Sequence, residues 1–309
     1  MKELEKHPFS YRLISKNNKL VNYYTSIPNN KLFSLILEIC SKNPITYYAG
    51  WNVNGISKED QFLMTLMKLR INSGHIDLST RFSVSMGTVC NVVLTWIHVL
   101  HEIFFVGVMD KIPSVEKNKM YLLSYFSEFS NCRIILDCTE ISTDIPKRMD
   151  HQQMFYNNYK YRNTMKVLIA VAPNGVITYV SDLYPGSISD KDIFRKSDIY
   201  NQLKAGDLIL ADKGFLITDL VPPGVNINIP PFLFSPQFTP SEVIETRNIA
   251  RARIHVERAI RRIKVFGIIK CIPKIYFKFV NVIFQVCAAL TNFENPLIRE
   301  VEPFYFSTS

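Results

Sequence analysis

Lys166 to Ser181, KVLIAVAPNGVITYVS, admits few folds. Two apolar, β-rich runs flank Pro173-Asn174-Gly175, and Asn-Gly supplies the left-handed residues that a tight hairpin turn requires. The stretch predicts an antiparallel pair, Lys166 to Ala172 with Val176 to Ser181. Two shorter apolar runs lie on either side of it, Arg133 to Asp137 (RIILD) and Asp207 to Asp212 (DLILAD). Each ends in an acid, so each reads as a buried strand with Asp137 or Asp212 at its exit. Val225 to Ile229 reads as a fifth strand, and Ser189 caps a helix running to Lys196. Strand, hairpin, helix, strand, strand and a long helix in that order predict an α/β domain with a mixed sheet.

The long helix is Arg247 to Lys264, RNIARARIHVERAIRRIK. Thr239-Pro240-Ser241-Glu242 offers it a capping box with proline at the first helical position, and Gly267 a place to end. At 100° per residue, Ile249, Ala252, Val256, Ala259, Ile260 and Ile263 share an apolar arc. Arg247, Arg251, Arg258, Arg261 and Arg262 lie opposite. Glu257 falls near the seam, with Arg253 and Lys264 beside it, and His255 is expected on the polar side. Taken alone, this is an amphipathic helix with a salt-bridged glutamate.

Charge gives that helix more meaning. The chain carries a net charge of +9, and Val243 to Lys278 holds ten Lys or Arg against Glu245 and Glu257, a local +8. A cationic patch of that density favours a polyanion such as nucleic acid, or less often an acidic membrane surface. The six cysteines form no C-x-x-C pair and read as buried reduced thiols, which argues against a disulfide frame or a zinc site. No glycine-rich phosphate loop, apolar signal region or uninterrupted transmembrane run is expected.

Residues 1–54 contain short apolar runs, with Leu32 to Cys40 helical, and suggest no function. From Ile56 the pattern sharpens. Ser57, with Asp60 three residues on, caps a helix through Phe62, Leu63, Leu66 and Leu69. A second helix spans Ile76 to Phe82, Ser83-Val84-Ser85 turns, and Ser85 caps a third carrying Val89, Val92, Val93, Trp96, Ile97 and Leu100. Short helix, tight turn and longer helix describe a helix-turn-helix, and equally a ligand-free three-helix packing element. On the first reading Ser85, Thr88 and Asn91 at the start of the third helix face DNA. Residues 108–130 read as a connector with one helix.

Asp137 and Asp212 at neighbouring strand ends, with Glu257 on the helix, form a candidate site, since ligands of open α/β sheets gather at strand ends. Unpaired carboxylates brought together repel unless a cation joins them, and hard oxygen donors suit Mg²⁺ or Mn²⁺. Two such ions about 4 Å apart can clamp both oxygens of a phosphoryl transfer. Singly, each acid reads as well as a turn former or an ion-pair partner.

ILDCTEI at 135–141, YKYRNTMKVLI at 159–169, PGSISDKDI at 185–193, LADKGF at 210–215 and TRNIARARIHVERAIRRIK at 246–264 resemble the blocks of Harbinger-type DDE transposases, members of the ribonuclease H-like superfamily. SKEDQFLMTLMKLR followed by DLSTRFSVSMGTVCNVVLTW resembles the helix-turn-helix that precedes the catalytic region in such proteins. The resemblance implies a triad of Asp137, Asp212 and Glu257 holding divalent metal, two ions of Mg²⁺ or Mn²⁺, for DNA cleavage and strand transfer. Asp190 matches an acid that recurs in the family and is carried as an auxiliary metal ligand. Glu140, Asp192 and the Tyr159-Lys160-Tyr161-Arg162 segment are weaker candidates.

The expected fold is α/β, a ribonuclease H-like mixed sheet with flanking helices preceded by a small all-α helix-turn-helix region. The expected domains are 1–54 unassigned, 55–107 helix-turn-helix, 108–130 connector, 131–296 catalytic and 297–309 tail. DNA contact is expected from Arg247, Arg251, Arg258, Arg261, Arg262, Lys264, Ser85, Thr88 and Asn91. The expected partners are DNA, a second copy of the chain and a separate DNA-binding protein, with no membrane, in the nucleus. Two other readings stay open, a catalytically inactive DNA-binding protein derived from such a transposase and a module whose basic helix binds acidic proteins.

Overall fold

The computed structural model describes residues 9–121, 124–143, 154–157, 161–212, 214–229, 240–270 and 272–297. The chain divides into two compact units. One takes residues 1–108, 265–273 and 282–294, the other 109–264, 274–281 and 295–309.

The first unit is helical. Its N-terminal part contains α1 (Tyr11–Ile14), α2 (Asn18–Thr25), α3 (Asn30–Ser41), α4 (Lys58–Ile71), α5 (His75–Phe82) and α6 (Met86–Leu100). Every residue of α4 from Gln61 to Leu69 is buried, so this helix has no solvent stripe and sits at the centre of its unit. A file of rings runs through that centre. Tyr11 stacks on Phe33 at 4.0 Å, Phe33 meets Phe62 at 4.8 Å, and Phe62 meets Trp96 at 5.4 Å between centroids. Tyr11 and Phe33, from a stretch silent in the sequence, therefore supply one wall of the helical core. Burying polar Gln61 in α4 requires partners. Its amide donates to the carbonyls of Val53 and Ile56, and its oxygen accepts from the Tyr47 hydroxyl and the Trp96 indole.

The helix boundaries follow the caps read from sequence. Ser57 Oγ accepts the Asp60 amide and Ser85 Oγ accepts the Thr88 amide, at 3.1 and 3.0 Å. Ser83 at φ +54° closes α5 in the left-handed region. The expectation about membrane-length runs needs correction. From Met86 the helix continues through a π-helical turn, His101–Val106, to Met109, and these 24 residues are long and apolar enough to cross a membrane. Half of its most apolar 18 residues are buried within the protein, with Val89, Val92, Val93, Trp96 and Ile97 fully enclosed, as in the core helix of a folded unit.

The second unit carries a seven-stranded mixed sheet. Its strands are β1 (Cys132–Ser142), β2 (Tyr156–Asn157), β3 (Arg162–Val171), β4 (Ile177–Val180), β5 (Tyr184–Pro185), β6 (Leu208–Leu210) and β7 (Asn226–Asn228). The order β2-β3-β1-β6-β7 forms the main path, and β4 and β5 also pair with β3. β1 and β3 are antiparallel, whereas β1, β6 and β7 are mutually parallel. The predicted hairpin is present as β3–β4, with Gly175 at φ +88° in its turn. β1 does not stop at Asp137. It runs five residues further because Cys138 to Ser142 alternate in a way that β3 can pair, Asp137 facing Ile169.

Pairing of β1 with β6 slips by one residue. Cys132 aligns with Leu208, but Ile134 with Ile209 and Ile135 with Leu210, so Arg133 is the extra residue of a bulge. One face of the sheet builds a core from Ile134, Leu136, Leu168, Ala170, Ile209 and Ala211 with Ile193 and Phe194 of α8 (Asp190–Lys196), a helix that follows α7 (Val115–Lys119). Successive strand residues point to opposite faces. Ile135, Asp137, Leu210 and Asp212 therefore belong to the other face.

The long helix α9 (Pro240–Ile263) packs against β1, β3 and β6. It buries Ile249, Ala252, Val256, Ala259 and Ile263 completely and nearly all of Ile260, the arc read from sequence. His255 is a correction. It is 4 % exposed and lies against the Phe126 ring, because it adjoins Val256 and Ala252 on the inner arc. Thr239, the expected cap, lies outside the described residues. Gly267 does not end α9, which stops at Ile263. It begins a short helix, and a Cβ there would meet the Arg70 carbonyl of α4 at 3.0 Å. The closing apolar helix, Val280–Thr291, belongs from residue 282 onward to the first unit. Among the described residues, Cys40, Cys90, Cys132, Cys138 and Cys287 form no disulfide, and Cys90 and Cys138 are partly exposed; Cys271 lies outside the described residues.

Candidate active site

The parallel pairing of β1 with β6 brings two acids together. Ile135 aligns with Leu210, and two residues further along each chain come Asp137 and Asp212. Asp137 stays on β1, partly buried, where the short β6 has ended. Asp212 has left β6 and is exposed.

Facing them, α9 contributes Arg253 and, one turn later, the exposed Glu257. Arg253 Nη1 donates to Asp212 Oδ1 at 3.2 Å. The arginine side chain is 12 % exposed and the aspartate 53 %. Burial pushes the Asp137 carboxyl up to about 6. The charges of Asp212 and Glu257 push it the same way, while Arg253 and the Cys138 amide pull it down. Three carboxylates and one guanidinium thus share an electrostatic neighbourhood. Arg253 is the residue sequence reasoning passed over. Its signal was the spacing, four residues before Glu257 and so on the same helix face.

Among the described residues, no three His, Cys, Asp or Glu side chains stand close enough to hold a metal ion. The donor set fits a hard divalent cation in kind, being carboxylate oxygens, with Asp137 on β1 in the field of Asp212 and Glu257. Among the described residues, Arg253 is a positive charge beside them.

Asp190 occupies different surroundings. Lys166 Nζ pairs with Asp190 Oδ1 at 3.2 Å and donates to the Ile188 carbonyl at 2.9 Å. Lys166 and Cys138 alternate with Asp137 and Val167, so this pair lies on the α8 face of the sheet, opposite Asp137. Asp190 also hydrogen-bonds Cys138 and closes on Gly214, where an added Cβ would meet Asp190 Oδ2 at 3.3 Å. Asp190 therefore touches the residue after Asp137 and the loop that carries Asp212, from behind. Glu140 accepts from the Thr164 hydroxyl, and Asp192 accepts from Ser189 and Arg195.

A family model for the DDE superfamily endonuclease matches residues 136–292, just over half of the chain. The chain belongs to the DDE superfamily endonuclease family. Both acids that β1 and β6 bring together, and Glu257, lie inside the matched span. A second model, the helix-turn-helix of DDE superfamily endonuclease, matches residues 54–105, which cover α4, α5 and α6. No curated protein and no solved structure matches the chain. This DDE superfamily endonuclease is thus a mixed α/β protein whose sheet unit follows a helix-turn-helix region.

The polar residues expected to meet DNA divide by burial. In the helix-turn-helix, Ser85 is exposed and Thr88 partly so, their hydroxyls 2.9 Å apart at the start of α6. Asn91 is a correction. It is 2 % exposed, its oxygen accepting the Ala49 amide and its nitrogen donating to the Trp51 carbonyl, so it fastens the 47–51 loop to α6. On α9, Arg258 and Arg261 are exposed, and Lys264 just past its end is partly so. Arg262 donates to the Asn295 carbonyl. The side chains of Arg247 and Arg251 lie outside the described residues, as do Tyr159 and Lys160.

Proposed function

We propose that this DDE superfamily endonuclease is a divalent-metal-dependent DNA nuclease and transposase of the Harbinger type, built on a ribonuclease H-like sheet. The observation that carries the reading is the register of β1 with β6, which sets Asp137 beside Asp212 under the helix that bears Glu257. Asp137, Asp212 and Glu257 would hold Mg²⁺ or Mn²⁺, two ions. When bound, these supply electrostatic stabilisation for in-line phosphoryl transfer to water or a DNA 3′-hydroxyl.

The protein's own part is holding and orienting. Asp137 is fixed by its pairing with Ile169 of β3, whereas Asp212 and Glu257 stay open to a large substrate. Arg258 and Arg261, exposed beyond Glu257, grip backbone phosphates, and Arg247, Arg251, Arg262 and Lys264 extend that grip. Ser85 and Thr88 read DNA from the helix-turn-helix, alone or with a separate DNA-binding partner. Asp190 serves as a brace, not as a ligand. The protein works in the nucleus, where its substrate is, as a homo-oligomer, with domains 55–107 and 131–296 as the DNA-reading and catalytic spans.

The deciding experiment incubates end-labelled DNA with purified protein and Mg²⁺ or Mn²⁺, beside Asp212→Ala. Metal-dependent nicking lost in the variant is the expected outcome. A second reading, a DNA-binding protein that no longer cuts, has the Arg253–Asp212 pair on its side, since a guanidinium on Asp212 opposes a metal there. DNA binding without nicking by either protein would establish it.

A further inference from the structure

We infer that Arg253 is the site's own placeholder cation, neutralising Asp212 and Asp137 in the metal-free protein and giving way when a divalent ion enters. The inference rests on the proposed metal-binding role of these acids and adds how the metal gains its place.

Three observations carry it. First, the pair is positioned by the fold. Arg253 adjoins fully buried Ile249 and Val256 on the helix surface, so its stem leaves the inner edge of α9 and its side chain is 12 % exposed. That leaves Asp212 as a partner within reach. Second, the acids need a cation in the absence of metal. Asp137 is partly buried and sits within the field of Asp212 and Glu257, and Arg253 opposes that field at Asp137. Third, the pairing is weak enough to lose. It is a single 3.2 Å hydrogen bond, not a two-pronged fork, and its aspartate is 53 % exposed, so water and ions reach it. Asp212 Oδ1 cannot serve a guanidinium and a metal ion at once, because two cations at that distance repel. Metal uptake and release of Arg253 are therefore one coupled exchange, and the released guanidinium is free to take a DNA phosphate.

The test is Mn²⁺ binding by isothermal titration calorimetry to the full chain, without DNA. Arg253→Gln removes the competing charge and should bind Mn²⁺ about two- to five-fold more tightly, the range that an ion pair with its aspartate open to solvent is worth. Arg253→Lys, which keeps the charge, should stay near wild type. Affinity in Arg253→Gln equal to or below wild type overturns the inference while leaving the metal reading intact. No Mn²⁺ binding by wild type or either variant overturns the metal reading and this inference with it. Should Arg253→Gln fail to fold, the wild-type chain still decides. Mg²⁺ titration should shift the side-chain Nε–H resonance of Arg253, assigned by its absence in Arg253→Lys. A resonance that stays still while Mg²⁺ binds overturns the exchange.

Discussion

Arg133 Nη1 lies 3.1 and 3.3 Å from the two carboxylate oxygens of Asp207, and both side chains are less than a tenth exposed. The guanidinium also donates to the Ile112 carbonyl, and Asp207 accepts the Lys204 amide. This pair ties the start of β1 to the turn before β6. Breaking one partner leaves the other charge buried and alone, so Arg133→Met should cost about 3–5 kcal/mol. Replacing both, Arg133→Met with Asp207→Leu, should recover most of that loss. Urea unfolding of the two variants beside wild type is the check, and a double variant as unstable as the single would contradict it.

Asp137 makes the metal-free protein sensitive to pH. Its folded value, about 6, lies above the unfolded value near 4, so the folded state holds the proton longer. Stability from this group is complete below about pH 4 and is lost as pH rises to about 6. Asp137→Asn removes that loss. In chelator, the variant should be more stable than wild type at pH 7 by about 1–3 kcal/mol, with the gap closing toward pH 4. Thermal unfolding across pH reads it directly, and a gap independent of pH would refute the assignment.

Lys166 is 15 % exposed and Asp190 27 %, so Lys166→Met should strand the carboxylate behind the sheet. We expect a loss of about 1–3 kcal/mol, partly recovered in Lys166→Met with Asp190→Asn. If Asp190 instead held metal, Lys166→Met would tighten Mn²⁺ binding. Calorimetry on the variant separates a brace from a ligand.

DNA binding should sort these side chains by exposure. Removing exposed Arg258 or Arg261 should weaken binding of any sequence and lower the salt slope by about 0.9 for each phosphate left unneutralised. Asn91→Ala should leave that slope unchanged, yet destabilise the protein by about 1–3 kcal/mol by stranding the Ala49 amide and the Trp51 carbonyl. Fluorescence anisotropy at several salt concentrations, beside thermal unfolding, tells the two apart.

Local signals were legible in the chain. Asn174-Gly175 announced the β3–β4 hairpin, Ser57, Ser85 and Ser189 announced helix starts, and the arc of α9 was read correctly. What failed depended on neighbours far along the chain. Asn91 looks like a polar residue on an exposed helix start until the 47–51 loop closes over it. His255 looks polar until Phe126 packs on it. The strand carrying Asp137 looks finished at the acid because the apolar run ends there, yet β3 pairs residues well beyond it. Arg253 could be counted among the arginines, but its bond to Asp212 spans 41 residues and no local pattern reveals it.

The bulge at Arg133 has a further consequence. The stretch from Cys132 to Asp137 is one residue longer than the stretch from Leu208 to Asp212, and the bulge absorbs that surplus. Side chains on a strand alternate between faces, so a register change of one residue exchanges the two faces. Were the surplus not absorbed, the alignment of Cys132 with Leu208 would carry forward to set Leu136, not Asp137, beside Asp212. The bulge thus acts as a phase adjustment in a short ladder. Deleting Arg133 would remove the surplus and keep the two aspartates in phase. Deleting one residue from Leu208–Leu210 would double it, leaving both aspartates in the sequence yet turning them to opposite sides of the sheet, a silenced site with an intact set of acids.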